Sequence, residues 1–268
     1  MAMASPNLTV MINAARKAAR RLVRDFGEVE NLQVSLKGAG DFVSSADRKA
    51  EESIRADLMH ARLAYGWIGE ESGAADGADG MHRWIVDPLD GTTNFLHGLP
   101  HWAISIGLER KGEMIAGVVY DPIKDEMFTA EKGGGAWLND RRLRVSGRRD
   151  MAMCVIGCGA PCSGSKYLPA WLRETAQVAP MVAGLRRNGA AALDLAYVAA
   201  GRFDGCWERG LKLWDMAAGA LMVREAGGIL RDLDSADSDP LFTGQMMAAN
   251  ADISETLHAA LRAAQHGA

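Results

Sequence analysis

Apolar positions in the first third of the chain follow first a helical and then a strand period. Residues 8–26 bring apolar side chains to one side every three or four positions and place basic side chains elsewhere, which predicts an amphipathic helix. A second helix is predicted to start at Ser44 or Ser45, whose hydroxyl can cap the first turn, because apolar positions then recur at four-residue steps. The short apolar runs at residues 65–69 and 83–87 predict buried strands.

The pattern changes twice in the rest of the chain. Between residues 102 and 145, alternating apolar positions interrupted by glycine and proline turns predict an antiparallel meander. Beyond residue 150, short apolar runs alternate with helical segments, which predicts a layered α/β arrangement. We therefore predict an N-terminal α+β half, residues 1–150, and a C-terminal α/β half, residues 151–268. Since no Pro/Gly/Ser-rich linker separates them, the two halves are predicted to share an interface.

Composition restricts the class of protein. The 268 residues are 48% hydrophobic and 24% charged, as in an ordinary globular protein. A net charge of −4 without a long basic block disfavours direct binding of nucleic acid. No apolar run approaches the ~20 residues that cross a bilayer, and the start of the chain lacks a signal-peptide layout. We expect a cytoplasmic enzyme or binding protein with no membrane partner.

Three cysteines stand at four-residue spacing, at Cys154, Cys158 and Cys162, and Cys206 stands apart. This spacing is not the C-x-x-C of common zinc sites. A strand that runs into a loop, with small buried thiols, is favoured over zinc.

Candidate chemistry is concentrated in WIVDPLDGTTNF at residues 84–95. Asp87 and Asp90 are so close in the chain that their charges require a counter-ion. Gly91 can adopt a tight turn that exposes backbone N–H groups. Carboxylates beside free N–H groups suit metal cations that bridge to a phosphate.

Further carboxylates stand at the ends of apolar runs, at Asp47, Glu70 and Asp215. Buried carboxylates are costly unless they are paired, although a helix cap or a surface charge is the alternative for any one of them. No stretch offers His and Cys at zinc spacing, and oxygen ligands suit a hard cation such as Mg²⁺.

Together these segments resemble the motifs of the inositol monophosphatase family. The resemblance rests on DFVSSAD at residues 41–47, EES at 70–72, the 84–95 motif, and WDMAAGA with the EAGG that follows at 214–228. The motifs occur in the family order over most of the chain. Members are Mg²⁺-dependent, lithium-sensitive phosphatases. The resemblance implies a five-layered αβαβα sandwich, a homodimer, and hydrolysis of myo-inositol 1-phosphate to myo-inositol and phosphate by a metal-activated water.

The resemblance also implies a metal-binding role for each matching position, with two or three Mg²⁺ ions per site. The first ion is expected on Glu70, Asp87 and the carbonyl oxygen of Leu89. The second is expected on Asp87, Asp90 and Asp215. Asp47 and Glu70 are expected to help place a third, weaker ion and the attacking water.

Contacts to substrate and water are implied in the same way. Thr92 is expected to pair with Asp47 to orient and deprotonate the water, and the N–H groups of Gly91 and Thr92 are expected to bind the phosphate. The expected inositol ligands are Glu208, Asp90 and the N–H of Ala191. A carboxylate suits neighbouring hydroxyls because it can accept two hydrogen bonds.

Two departures from the family pattern concern the substrate and leave the metal ligands untouched. Ala190 stands where many members have Ser or Thr, so a hydroxyl near the substrate is expected to be missing. Residues 73–80 are small and acidic and are expected to form a mobile surface loop. Histidinol phosphate, and fructose 1,6-bisphosphate as a second substrate, stay open as alternatives.

A different class of function also stays open. Some bacterial relatives associate with the transcription machinery, so the chain could act as a regulatory binding protein. The candidate surface is basic and comprises Arg186 and Arg187, and Arg16 and Lys17 with Arg20 and Arg21. A solvated or subunit-interface arginine pair is the favoured interpretation of these residues.

Overall fold

A computed structural model describes residues 4–28, 34–38, 41–161 and 164–266 of the chain. The helices in these ranges are α1 Pro6–Phe26, α2 Ser45–Ala61, α3 Thr92–Leu96, α4 Leu168–Val178, α5 Ala191–Ala199, α6 Leu213–Glu225, α7 Pro240–Thr243 and α8 Ser254–His266. The strands of the first half are β1 Val34–Gly38, β2 Asp41–Ser44, β3 Gly66–Gly69, β4 Gly73–Ala75, β5 His82–Asp90, β6 Ala103–Arg110, β7 Glu113–Asp121, β8 Glu126–Glu131, β9 Gly135–Leu138 and β10 Arg141–Arg142. Those of the second half are β11 Val155–Cys158, β12 Gly184–Arg186, β13 Gly205–Arg209, β14 Ile229–Asp232 and β15 Gln245–Ala249.

The strands form two large sheets beside the β1–β2 hairpin. The first has eight strands in the order β10-β9-β8-β7-β6-β5-β3-β4, and the second has five in the order β12-β11-β13-β15-β14. Strands β5 to β10 are joined by antiparallel pairing, which confirms the predicted meander. The smaller sheet is mixed, because β11 is parallel to β12 and β13, while β15 is antiparallel to β13 and β14.

Helices cover these sheets in layers. Helices α1 and α2 pack on one face of the eight-stranded sheet, and α6 packs on the other. Helix α5 lies against α6 and contacts β13, and α8 with α4 covers the outer face of the smaller sheet. Helix α6 is buried continuously from Met216 to Val223, as expected for a helix between two sheets. The five-layered αβαβα sandwich implied by the resemblance is therefore confirmed.

The predicted boundary near residue 150 falls between the sheets. The eight-stranded sheet ends with Arg142 and the smaller sheet begins with Val155. Helix α6, from the second half, packs on strands of the first half, so the halves share a core. A division into two domains at this point stays a prediction.

Several local expectations require correction. Residues 73–75 were expected in a surface loop but form β4, which pairs antiparallel with β3. The strand expected at 83–87 extends to Asp90. The β1–β2 hairpin and α7 were not predicted, since such short elements show no clear period. Three of the cysteines, Cys154, Cys158 and Cys206, are buried free thiols, and Cys162 lies outside the described residues. None of the helices in the described ranges is long and apolar enough to cross a membrane.

Candidate active site

A bulge in β5 turns two aspartates toward one side of the eight-stranded sheet. In a regular strand, residues three apart point to opposite faces, because side chains alternate. Here Asp87 pairs with Ser105 of β6 and Asp90 pairs with Ala103, so three steps along β5 lie against two along β6. The extra residue is that of a β-bulge and restores both carboxylates to one side. Pro88, which has no N–H for the sheet ladder, lies inside the bulge.

Asp87 lies within a group of carboxylates that come from separate elements. It is 2% exposed, and burial raises the pKa of its carboxyl well above the usual value. The neighbouring charges that raise this pKa further are, in decreasing order, Glu70, Asp90, Asp215 and Asp47. Because like charges oppose one another's ionisation, such a group is suited to binding cations. The structure thus brings together the five carboxylates that the sequence motifs contributed.

The tightest part of this group contains one residue that was not predicted as a ligand. Asp47, in the first turn of α2, meets Glu70 and Glu71 from the turn after β3. Carboxylate oxygens of these three residues lie within 4.8 Å of one another. Oxygen atoms at this separation fit a hard cation such as Mg²⁺. The structure therefore adds Glu71 to the candidate metal ligands.

A second unpredicted carboxylate holds the turn that carries Glu70 and Glu71. Glu51 is 2% exposed, and its two oxygens accept hydrogen bonds of 2.8 Å from the N–H groups of Glu71 and Ser72. Glu51 stands one helical turn after Asp47, on the same face of α2. That four-residue spacing was the available signal for it. Glu51 therefore holds in place the turn whose Glu70 and Glu71 oxygens lie near Asp47.

Asp90 connects the bulge to the start of α5. Its Oδ2 accepts a 2.8 Å hydrogen bond from the Ala192 N–H, and its Oδ1 accepts a 3.2 Å bond from the Ala191 N–H. Burial raises the pKa of Asp90 to about 7, although these N–H groups act in the opposite direction. Ala190 is the N-cap residue of α5 and has no side-chain cap. A Ser or Thr at position 190 could cap α5 with its hydroxyl, which Ala190 lacks. Asp90 instead accepts the hydrogen bonds of the first helix N–H groups.

The turn after Asp90 places a glycine and a threonine beside the carboxylates. Gly91 has φ 90°, in the left-handed region that favours glycine, and an added Cβ would lie 3.1 Å from the His101 carbonyl oxygen. The Thr92 hydroxyl donates a 2.9 Å hydrogen bond to the Leu89 carbonyl oxygen and lies 3.4 Å from Asp47 Oδ2. Thr92, Asp47 and the Leu89 carbonyl are thus adjacent, as the predicted roles require.

Asp215 and Glu208 extend the acidic group toward the smaller sheet. Asp215 lies in the first turn of α6, where its Oδ2 accepts a 2.7 Å hydrogen bond from the Lys212 N–H. Glu208 lies near the end of β13, and burial raises the pKa of its carboxyl well above the usual value. The charges of Asp194, Asp215 and Asp90 raise it further. Glu208 therefore lies within electrostatic reach of two candidate metal ligands, Asp90 and Asp215.

The carboxyl group of Glu208 lies directly against the backbone of Gly159. A Cβ at Gly159 would lie 1.8 Å from Glu208 Cδ and 2.0 and 2.1 Å from its oxygens. The Gly159 N–H donates a 3.1 Å hydrogen bond to the Trp207 carbonyl oxygen, which joins this loop to β13. Only glycine leaves Glu208 in its observed position, a role that no sequence pattern indicated.

This arrangement of motifs has close counterparts among known proteins. A profile described as the inositol monophosphatase family matches residues 3–266. The chain belongs to this family. An inositol-1-monophosphatase of Mesorhizobium japonicum is 58% identical over 255 residues, which are 95% of this chain and 96% of that protein. Membership of the inositol monophosphatase family makes the chain a phosphatase, and its acidic group is the candidate metal centre.

Two further relatives carry a different name. The crystal structure of extragenic suppressor protein suhB from Bartonella henselae is 55% identical, with a TM-score of 0.93 and coverage of 96% of this chain and 99% of that chain. A Nus factor SuhB of Pseudomonas aeruginosa is 45% identical over 251 residues, which are 91% of this chain and 92% of that protein. Proteins with both names are therefore similar to this chain over nearly its whole length.

We expect the stability of the metal-free protein to fall as pH rises from about 4 to about 7. The pKa of Asp90 is about 7 in the folded chain and that of Asp87 is also raised, whereas an unfolded aspartate titrates near ~3.9. The folded state therefore binds more protons in this window, and stability is lost as they dissociate. A saturating cation would offset the repulsion, so the rise in Tm on adding Mg²⁺ should grow with pH.

Differential scanning fluorimetry at pH 5 and pH 8, with a chelator or with Mg²⁺, measures this dependence. An equal Mg²⁺-induced rise in Tm at both pH values would contradict the electrostatic description of the group.

Proposed function

We propose that the chain hydrolyses inositol monophosphates, with myo-inositol 1-phosphate as the preferred substrate and Mg²⁺ as the cofactor. The observation that carries the proposal is the convergence of Asp47, Glu70, Asp87, Asp90 and Asp215 beside the Gly91 turn. Relatives named inositol-1-monophosphatase support the choice of substrate.

The proposed metal ligands are the acidic side chains around Asp87. Glu70, Asp87 and the Leu89 carbonyl would hold one ion, and Asp87, Asp90 and Asp215 would hold a second. Asp47 and Glu70, now with Glu71, would hold a third. The donors are all oxygen atoms and the charges acting most strongly on Asp87 are all negative, so this set fits Mg²⁺. Bound Mg²⁺ would lower the pKa of water and stabilise the charge that develops on the leaving oxygen.

The protein groups orient water and phosphate in this proposal. Thr92 Oγ1 lies close to both Asp47 Oδ2 and the Leu89 carbonyl, so the hydroxyl can accept from a water while Asp47 takes up a proton. The first N–H groups of a helix have no partner within the helix. Those of Gly91 and Thr92, at the start of α3, would therefore donate to phosphate oxygens. Such positioning is the main requirement of phosphoryl transfer.

The inositol ring would lie between Asp90 and Glu208. Both carboxylates can accept hydrogen bonds from hydroxyl groups. The Ala191 N–H donates to Asp90 in this structure, so Ala191 contributes by orienting that carboxylate toward the ring.

A panel of phosphate esters tests the proposed substrate. We expect kcat/KM to be highest for myo-inositol 1-phosphate, with activity that requires Mg²⁺ and is inhibited by Li⁺. Histidinol phosphate and fructose 1,6-bisphosphate are the informative competitors. A large preference for histidinol phosphate would overturn the assignment, while comparable turnover of fructose 1,6-bisphosphate would indicate a dual enzyme.

We also propose a homodimer, which light scattering on the purified protein tests.

A regulatory binding role is the second candidate function. The relative named Nus factor SuhB favours it, and Arg186 and Arg187 are exposed, as are the basic residues of α1. Pull-down of transcription proteins with an Asp215→Asn variant separates binding from turnover, because Asp215 belongs to the proposed metal centre. Loss of all partners, together with turnover by the wild type, would exclude a role in binding alone.

A further inference from the structure

Asp194 is a buried carboxylate that neither the motifs nor the proposed mechanism use. It stands in the first turns of α5 and is only 3% exposed. Its Oδ1 atom is buried and has no hydrogen-bond partner among the described residues. A buried carboxylate oxygen without a donor is costly, because the water it loses is not replaced. The proximity of the helix N-terminus offsets only part of that cost.

The position of Asp194 relates it to the proposed inositol side of the site. Helix α5 packs on β13, the strand that carries Glu208. Of the neighbouring charges that raise the pKa of the Glu208 carboxyl, that of Asp194 has the largest effect. Burial, and then the charge of Asp90, likewise raises the pKa of Asp194 itself. Asp194 therefore lies within electrostatic reach of both carboxylates between which the ring would bind.

Among the described residues, few groups near Asp194 could donate a hydrogen bond to its carboxyl group. The basic group that lowers its pKa is Arg187, whose side chain is exposed and forms no hydrogen bond to it in the structure. The neighbouring Cys158 is a buried thiol, and burial raises its pKa to about 12. On the other side, the absence of a side chain at Gly159 leaves room for the Glu208 carboxyl. The described residues thus provide no donor for Asp194 Oδ1.

We propose that Asp194 is a specificity-determining residue whose carboxyl group accepts a hydrogen bond from a hydroxyl group of a polyol bound beside Glu208. The inference rests on the proposed function, since it assumes that the ester carries such hydroxyl groups. Asp194 of α5 and Glu208 of β13 would then both bind hydroxyl groups of the ring. Phosphate and metal binding would not involve Asp194.

Two substrates that differ only in the alcohol portion test this role. Inositol 1-phosphate offers ring hydroxyls, whereas p-nitrophenyl phosphate offers the same phosphate and none of them. For Asp194→Ala we expect the KM for inositol 1-phosphate to rise about tenfold to hundredfold, the effect of losing a hydrogen bond to a charged group. We expect kcat/KM for p-nitrophenyl phosphate, and inhibition by inorganic phosphate, to stay close to wild type.

Two further variants keep the test decisive. Asp194→Asn has nearly the same shape and retains an accepting oxygen, so it should raise the same KM by a smaller factor, and it decides the question if Asp194→Ala does not fold. Asp121→Asn is a matched control, because Asp121 is fully buried at the end of β7 and its Oδ1 is already bonded to the Ile123 and Lys124 N–H groups. It should leave the KM for inositol 1-phosphate unchanged.

An equal fall in kcat/KM for both substrates in folded Asp194 variants would show that Asp194 has a structural role, and it would overturn the proposal. An unchanged KM for inositol 1-phosphate in folded Asp194→Ala would overturn it as well. Wild-type protein that hydrolyses p-nitrophenyl phosphate but not inositol 1-phosphate would instead contradict the proposed function, and the polyol role of Asp194 would fail with it.

Discussion

Asp87→Asn is expected to abolish phosphate release while leaving the fold intact. Asp87 is surrounded by carboxylates and would contribute to both of the first two proposed metal sites. Removing a group that only orients a metal ligand lowers metal affinity or activity about 10–100-fold. Removing a ligand shared by two ions should therefore lower activity by more than about 100-fold. The asparagine oxygen can still accept the 2.9 Å hydrogen bond that Asp87 Oδ1 receives from the Leu89 N–H. Phosphate release from inositol 1-phosphate at saturating Mg²⁺ measures the effect.

The stability of the same variant gives an independent check. Removal of one of several repelling charges should leave the Tm of the metal-free protein at or above that of wild type, and the rise in Tm on adding Mg²⁺ should shrink. The Asp121→Asn control changes a buried carboxylate that is not among the charges acting most strongly on Asp87, and it should keep wild-type activity. A well-folded Asp87→Asn protein that releases phosphate at the wild-type rate would show that the metal assignment is wrong.

Gly159→Ala is expected to lower kcat/KM for inositol 1-phosphate by at least about tenfold, the effect of losing a hydrogen bond to a charged group. The new methyl group would occupy the position of the Glu208 carboxyl, 1.8 Å from its Cδ. The Glu208 carboxyl group ends a flexible side chain, so it can move aside without unfolding the protein. It would then leave the proposed inositol site. Activity toward p-nitrophenyl phosphate should change little, because that ester has no hydroxyl for Glu208 to bind.

Gly147→Ala is the matched control for this substitution. A Cβ at Gly147 would meet no atom within 4 Å, and its φ is not in the left-handed region. Both substrates should therefore be turned over at wild-type rates. In Gly159→Ala, an unchanged kcat/KM for inositol 1-phosphate or an equal fall in kcat/KM for both substrates would be contrary results. Either one would show that Glu208 does not select the alcohol portion of the substrate.

The parts of the site that sequence could predict are those carried by local chemistry. Asp87, Asp90 and Gly91 stand close together in the chain, so their crowding and the tight turn were visible before any fold was known. Their common direction was not, because it depends on a bulge that only the pairing with β6 reveals. The strand was accordingly expected to end at Asp87 and in fact continues to Asp90.

The residues that sequence missed act across long separations or through backbone groups. Glu51 binds N–H groups 20 and 21 residues away. Its four-residue spacing from Asp47 indicates a shared helix face but does not reveal these distant partners. Gly159 matters only because β11 and β13 are adjacent in the sheet. Ala190 offers no hydroxyl to cap α5, and Asp90, 101 residues from Ala191 in the chain, accepts from the helix N–H group instead. The missing hydroxyl contact to the substrate stays a prediction.

We propose above that the carboxylates around Asp87 bind the Mg²⁺ ions needed for hydrolysis of inositol phosphates. The most direct test is the initial rate of phosphate release from myo-inositol 1-phosphate as a function of free Mg²⁺, starting from protein treated with a chelator. We expect no phosphate release without metal and a saturable rise in the rate as Mg²⁺ is added. The Asp87→Asn variant should lose this rise. Full activity of the chelated wild-type protein would contradict the proposal.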